Sequence, residues 1–79
     1  MSLEFGAYRA LKLYETGRRQ EALAVLAGLP HPARDDAIQA WIRDPRVDPA
    51  DLAPLVARHW REDPELGPLL EAAGEGRLD

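Results

Sequence analysis

Histidine occurs at two positions, His31 and His59, and these are the side chains best suited to acid–base or metal chemistry near neutral pH. His59 is followed three residues later by Glu62. On a helix that spacing puts the imidazole and the carboxylate one turn apart, and the two can share a metal. A zinc-type site needs a third protein ligand at least, and none stands close in sequence. His59 is therefore expected to be a partly buried packing residue with one hydrogen bond. His31 lies between Pro30 and Pro32 and reads as a loop or cap residue. Serine and threonine occur once each, Ser2 and Thr16, both at expected helix ends and without a neighbouring His–acid pair, which argues against a nucleophilic triad. The chain has no cysteine, so disulfides, thiolate nucleophiles and Cys-ligated zinc are excluded. Asp35-Asp36 reads as a solvated first helical turn, favourable with the helix dipole. The "GEG" near the end lacks the strand–turn–helix context of a phosphate loop. The expectation is no catalytic residue, no cofactor and no metal. A small metal-binding or hydrolytic protein using His31 and His59 is the least supported alternative.

The aromatic residues carry a stronger signal. Trp41 and Trp60 both fall on apolar stripes, where core packing is the first reading. Two tryptophans are hard to bury fully in 79 residues, and tryptophan is enriched where interfaces concentrate their energy. Phe5, Tyr8 and Tyr14 belong to a first helix that is apolar over most of its circumference, more than one neighbour can cover. Arg18 and Arg19 sit at a turn, where they are solvated surface or a contact for an acidic partner. The candidate interaction residues are therefore Phe5, Tyr8, Tyr14, Arg18, Arg19, Trp41, His59 and Trp60.

Positioning these side chains requires helices. Apolar residues from Leu3 to Tyr14 recur at helical spacing, Ser2 can cap the start, and Gly17 ends the segment after Thr16. A second helix from Arg18 to Ala27 stops at Gly28, and Pro30 prevents it resuming. The short turn at Gly17 makes the pair an antiparallel hairpin. A third helix starts at about Pro32, buries Ala37, Ile38, Trp41 and Ile42, turns Asp35, Asp36, Gln39 and Arg43 to water, and ends at Asp44-Pro45. In the fourth, Leu52, Leu55, Val56, His59 and Trp60 fall at i, i+3, i+4, i+7 and i+8. Pro54 would delete a hydrogen bond deep in a helix, so the regular helix is expected to start late, capped by Asp51, with 48–50 a separate turn. A short last helix runs through Leu69, Leu70, Ala72 and Ala73 with Pro68 in its first turn, and Gly74 closes it.

Asp48-Pro49 and Asp63-Pro64 each lead into a similar pattern of Leu, Pro and aliphatic residues. The spacing reads as the grammar of turns and helix starts. A degenerate helical repeat is the other reading, although copies of about 15 residues are short for helix-pair repeats.

The stretch "ALKLYETGRRQEALAVL", residues 10–26, resembles a tetratricopeptide repeat. Ala10 is the small residue of the first helix, Leu13 and Tyr14 the bulky ones, Gly17 the turn, Glu21-Ala22 the following pair, and Leu26 the later bulky position. Leu29 stands where the family usually has Ala, Gly28 stops the second helix early, and Pro30 and Pro32 flank the family's proline position without matching it. The match covers the first third of the chain, with no second copy. The resemblance implies peptide or protein binding on a helical surface, and no catalysis.

Composition bounds the rest. The net charge of −4 and the scattered basic residues argue against nucleic acid, whose binders of this size carry a basic face. No stretch approaches the roughly 20 apolar residues of a membrane span, and the start of the chain does not read as a signal peptide, so a cytoplasmic protein is expected. Arginine outnumbers lysine and asparagine is absent, a bacterial, thermophile-like composition. The expected fold is all-α: one domain over 1–79, a small bundle of four to five short helices, with a tetratricopeptide-like hairpin over 3–28, helices three to five over 32–73 and a frayed tail over 74–79. The expected function is a non-catalytic protein–protein interaction module that self-associates as a homodimer. The alternative is a small regulator or antitoxin-like protein with one dedicated protein partner.

Overall fold

A computed structural model describes the backbone over residues 3–76 and the side chains from residue 6. The expectations for Ser2 as a cap, for the Phe5 side chain and for residues 77–79 fall outside the described residues. The protein is all-α, with five helices and no strand among the described residues: α1 (Leu3–Glu15), α2 (Arg19–Ala27), α3 (Ala33–Arg43), α4 (Pro49–His59) and α5 (Leu66–Gly74). The chain forms two compact units, Met1–Ala37 and Ile38–Asp79, with the boundary inside α3.

In the first unit α1 and α2 pack on each other as a hairpin. Ala10 and Tyr14 of α1, and Ala22 and Leu26 of α2, are buried. The small residues allow close approach, and Gly6 continues that role: a Cβ added there would lie 2.9 Å from Leu29 Cδ2. The reversal has a specific cause. Gly17 adopts φ +87, its N–H donates to the Tyr14 carbonyl, and the Arg18 N–H donates to the Leu13 carbonyl. This is the Schellman closure, which satisfies two carbonyls that the helix end would otherwise orphan. The Thr16 hydroxyl adds bonds to the Lys12 and Leu13 carbonyls. After α2, the Arg34 and Asp36 N–H groups donate to the carbonyls of Pro30 and Pro32, so the proline loop satisfies two of the first four donors of α3. The His31–Pro32 peptide is cis.

The second unit buries Ile38, Trp41, Ile42 and Val47, with Leu52, Leu55 and Val56 of α4 and Leu66 of α5. α4 and α5 pack on each other. The Asp44-Pro45-Arg46 connection is held by the Asp44 carboxylate, which accepts from the Arg46 backbone N–H at 2.9 Å and from its guanidinium at 2.7 and 3.0 Å. The Arg46 side-chain bond, ahead of the opposing effect of burial, keeps the Asp44 carboxyl below its usual range.

The start of α4 corrects the expectation. The helix begins at Pro49, not after Asp51, and its cap is Asp48, whose carboxylate accepts the Ala50 N–H at 3.0 Å. Proline at the first helical position lacks only a donor the helix cannot use there, so Asp48-Pro49 is a complete start signal. Residues 48–50 are thus the first turn of the helix, and Pro54 sits in its interior on the exposed side. At Asp63-Pro64 the carboxylate instead bridges outward: Asp63 accepts from the Glu65 N–H at 3.2 Å and from Gln39 Nε2 at 2.6 Å.

Candidate interaction surface

The residues that the sequence nominates divide by burial. Tyr14 and Trp41 are core. Tyr8, by contrast, is 59% exposed, and Lys12 Nζ lies 5.4 Å from its ring centroid. Arg18 and Arg19 are exposed at the hairpin turn; Arg18 pairs with Glu21, and the Arg19 guanidinium lies 5.0 Å from the Tyr14 ring centroid. Both arginines therefore have local partners that hold them on the first unit.

Trp60 departs from the core reading of its stripe while remaining among the interaction candidates: it is 49% exposed. The reason is positional: α4 ends at His59, and Trp60 is the cap residue, at the edge of the stripe whose centre is Leu52, Leu55, Val56 and His59. The Arg61 guanidinium lies 5.4 Å from its ring centroid, a cation–π arrangement.

His59 corrects a second expectation. It is buried as expected, but neither ring nitrogen has a hydrogen bond; Glu62 Oε2 is 3.5 Å from Nδ1. A buried polar group left in this state costs roughly 1–3 kcal/mol.

Asp35 corrects a third. It does not face water: it is only 2% exposed. His31 Nδ1 lies 2.6 Å from its Oδ2, and Arg34 Nε donates to its Oδ1 at 3.0 Å. Burial opposes ionisation of this carboxyl. The bonds from Arg34 and then His31, with their charges, outweigh it and hold the group below its ordinary value. His31 is half-exposed, so a surface imidazole reaches inward to a buried carboxylate four residues on. The i, i+4 spacing of His31 and Asp35, with Arg34 beside them, was the available sequence signal.

Two residues that sequence reasoning passed over complete the picture. Arg58 and Arg61 are exposed on either side of the His59-Trp60 pair, and neither has an ion-pair partner among the described residues. In the same unit, Arg46 is fully engaged by Asp44. The signal was the run Arg58-His59-Trp60-Arg61 itself.

On α5 only Leu66 is buried, while Leu69, Leu70, Ala72 and Ala73 are half-covered. Between α4 and α5 an open groove of about 350 Å³ is lined by Asp48, Pro49, Ala50, Ala53, Leu70, Ala73 and Gly74. No described helix is long and apolar enough to cross a membrane. No protein-family model, curated protein or solved structure matches this chain.

Proposed function

We propose that this chain is a non-catalytic protein–protein interaction module that self-associates. The observation that carries the reading is Tyr8. The residue is 59% exposed on a helix whose next turn, at Leu11, is also incompletely covered. α1 therefore presents aromatic and aliphatic surface beyond what α2 buries, and aromatic residues of this kind anchor interfaces. The resemblance of residues 10–26 to a tetratricopeptide hairpin is consistent with a helical surface that binds protein. Trp41, being core, drops out of the contact set, and Tyr14 with it.

The test is solution mass by light scattering across about a hundredfold range of concentration, since association follows mass action. The expected result is a dimer that dissociates on dilution and is lost in Tyr8→Glu, which places a charge at the contact while leaving an exposed helical position helical. A wild-type chain that stays monomeric throughout that range would overturn self-association.

A further inference from the structure

The groove between α4 and α5 is walled by side chains too small to fill its 350 Å³, Ala50, Ala53 and Ala73, with Leu70 as the larger apolar wall. A Cβ placed on Gly74, in the same groove, would meet no neighbour within 4 Å. Ala53, Ala57 and Trp60 fall at i, i+4 and i+7, so the exposed tryptophan continues the same face of α4. The acid that lines the groove is Asp48. The first unit carries the converse surface. Tyr8 is a large exposed side chain, and the cation beside it is Lys12, 5.4 Å from its ring centroid. The contact of Lys12 with Glu15, at 3.7 Å, is an exposed pair of the kind that holds a charge only weakly. The charge of the chain divides the same way. Residues 1–37 hold five Lys or Arg and five Asp or Glu, whereas residues 38–79 hold five and nine, so the whole net charge of −4 belongs to the second unit.

We infer that the α4–α5 groove is the seat for Tyr8 of a second copy of this chain. The ring fills the gap that the small residues leave, and Lys12 faces Asp48. The contact is heterologous: it joins two different surfaces of the same chain, one from each copy. Charge favours that pairing over like on like. Second unit against second unit would set two net charges of −4 together, whereas the groove against α1 sets an acidic surface on a neutral unit with a cation at the contact. The neighbouring groove beside Ile42, Val47 and Gly76 does not suit the same occupant. It presents Arg43, a like charge to Lys12, and its acid, Asp44, is already bonded by Arg46. This inference rests on the proposed self-association and names the surface that Tyr8 meets.

The test is complementation, read as solution mass by light scattering. Tyr8→Glu removes the ring, Ala53→Glu puts a charge in the groove at an exposed helical position, and Gly74→Leu fills the groove without a charge. Each should raise the dissociation constant of the dimer by about tenfold or more. At a concentration where each variant alone is monomeric, an equimolar mixture of Tyr8→Glu with Ala53→Glu should regain dimer mass. The first chain keeps an intact groove and the second an intact Tyr8, so one native contact forms between them. That recovery also shows that both chains are folded. A mixture of Ala53→Glu with Gly74→Leu should stay monomeric, since neither offers an open groove. If Ala53→Glu and Gly74→Leu dimerise as tightly as the wild-type chain, the groove assignment is overturned while self-association stands. Failure of the Tyr8→Glu and Ala53→Glu mixture to recover also overturns it, by placing both residues on one shared face. A wild-type chain that is monomeric throughout removes self-association itself, and the seat with it.

Discussion

At the scale of single residues, two buried polar side chains behave in opposite ways. Asp35 is satisfied by His31 and Arg34, and a carboxylate so placed supports the fold only while it is ionised. Asp35→Asn should lower the free energy of unfolding by about 3 kcal/mol in urea at neutral pH, because it leaves Arg34 facing a neutral amide. The native carboxyl sits below its ordinary 3.8, so the unfolded chain takes up protons first on acidification. The stabilisation is complete above the ordinary carboxylate range and is lost as pH falls through the lowered native value. The gap between wild type and Asp35→Asn should therefore close progressively below about pH 4. A gap that persists unchanged at pH 2 would show that the ionised carboxylate is not its source. His59 is the converse: a buried imidazole without a bond is a standing cost. His59→Leu should raise the urea midpoint, by about 1 kcal/mol in stability. Loss of stability instead would mean that the ring is bonded in solution, through an ordered water.

At the scale of elements, α4 combines a strong start with a weak middle. Asp48 caps the helix, and Asp48→Ala should cost about 1 kcal/mol. Pro54 removes one backbone donor from the interior on the exposed side, and Pro54→Ala should stabilise the helix, by somewhat less than the roughly 3 kcal/mol of an unaccommodated proline. Thermal melts of the two variants should thus move in opposite directions. Much of this level was legible in the sequence: the helix order, the reversal at Gly17 and the stop at Asp44-Pro45 all follow from local backbone chemistry. The error at α4 came from weighing Pro54 above Asp48-Pro49. A proline inside a helix is costly but survivable when neighbouring packing at Leu52, Leu55 and Val56 holds the segment. Burial was less legible than helicity. Periodicity named the face on which Trp60 lies, but the helix ends one residue earlier, and a ring at the edge of a stripe is covered only if another element reaches it. Asp35 departs for a different reason: an acid in a first helical turn ordinarily faces water, and here two local partners, His31 four residues before it and Arg34 next to it, bond the carboxylate and let it be buried.

At the scale of the molecule, each unit leaves one large aromatic side chain exposed among the described residues, Tyr8 in the first and Trp60 in the second. A chain of 79 residues has little core to spare, so the association proposed above would add stability. The thermal midpoint of the wild-type chain should therefore rise with protein concentration, while that of Tyr8→Glu should not. A midpoint independent of concentration in both would separate Tyr8 from any stabilising contact.

The unequal placement of the two tryptophans has a practical consequence. Trp41 is enclosed and Trp60 is half in water, so the intrinsic emission of the protein has two components. The enclosed indole emits at shorter wavelength and is shielded from iodide, whereas the other emits further to the red and is quenched. A single sample then reports core integrity and surface occupancy in separate spectral channels, with no label attached. Loss of the quenchable component on adding a ligand marks coverage of Trp60, and a red shift of the shielded component marks opening of the second unit.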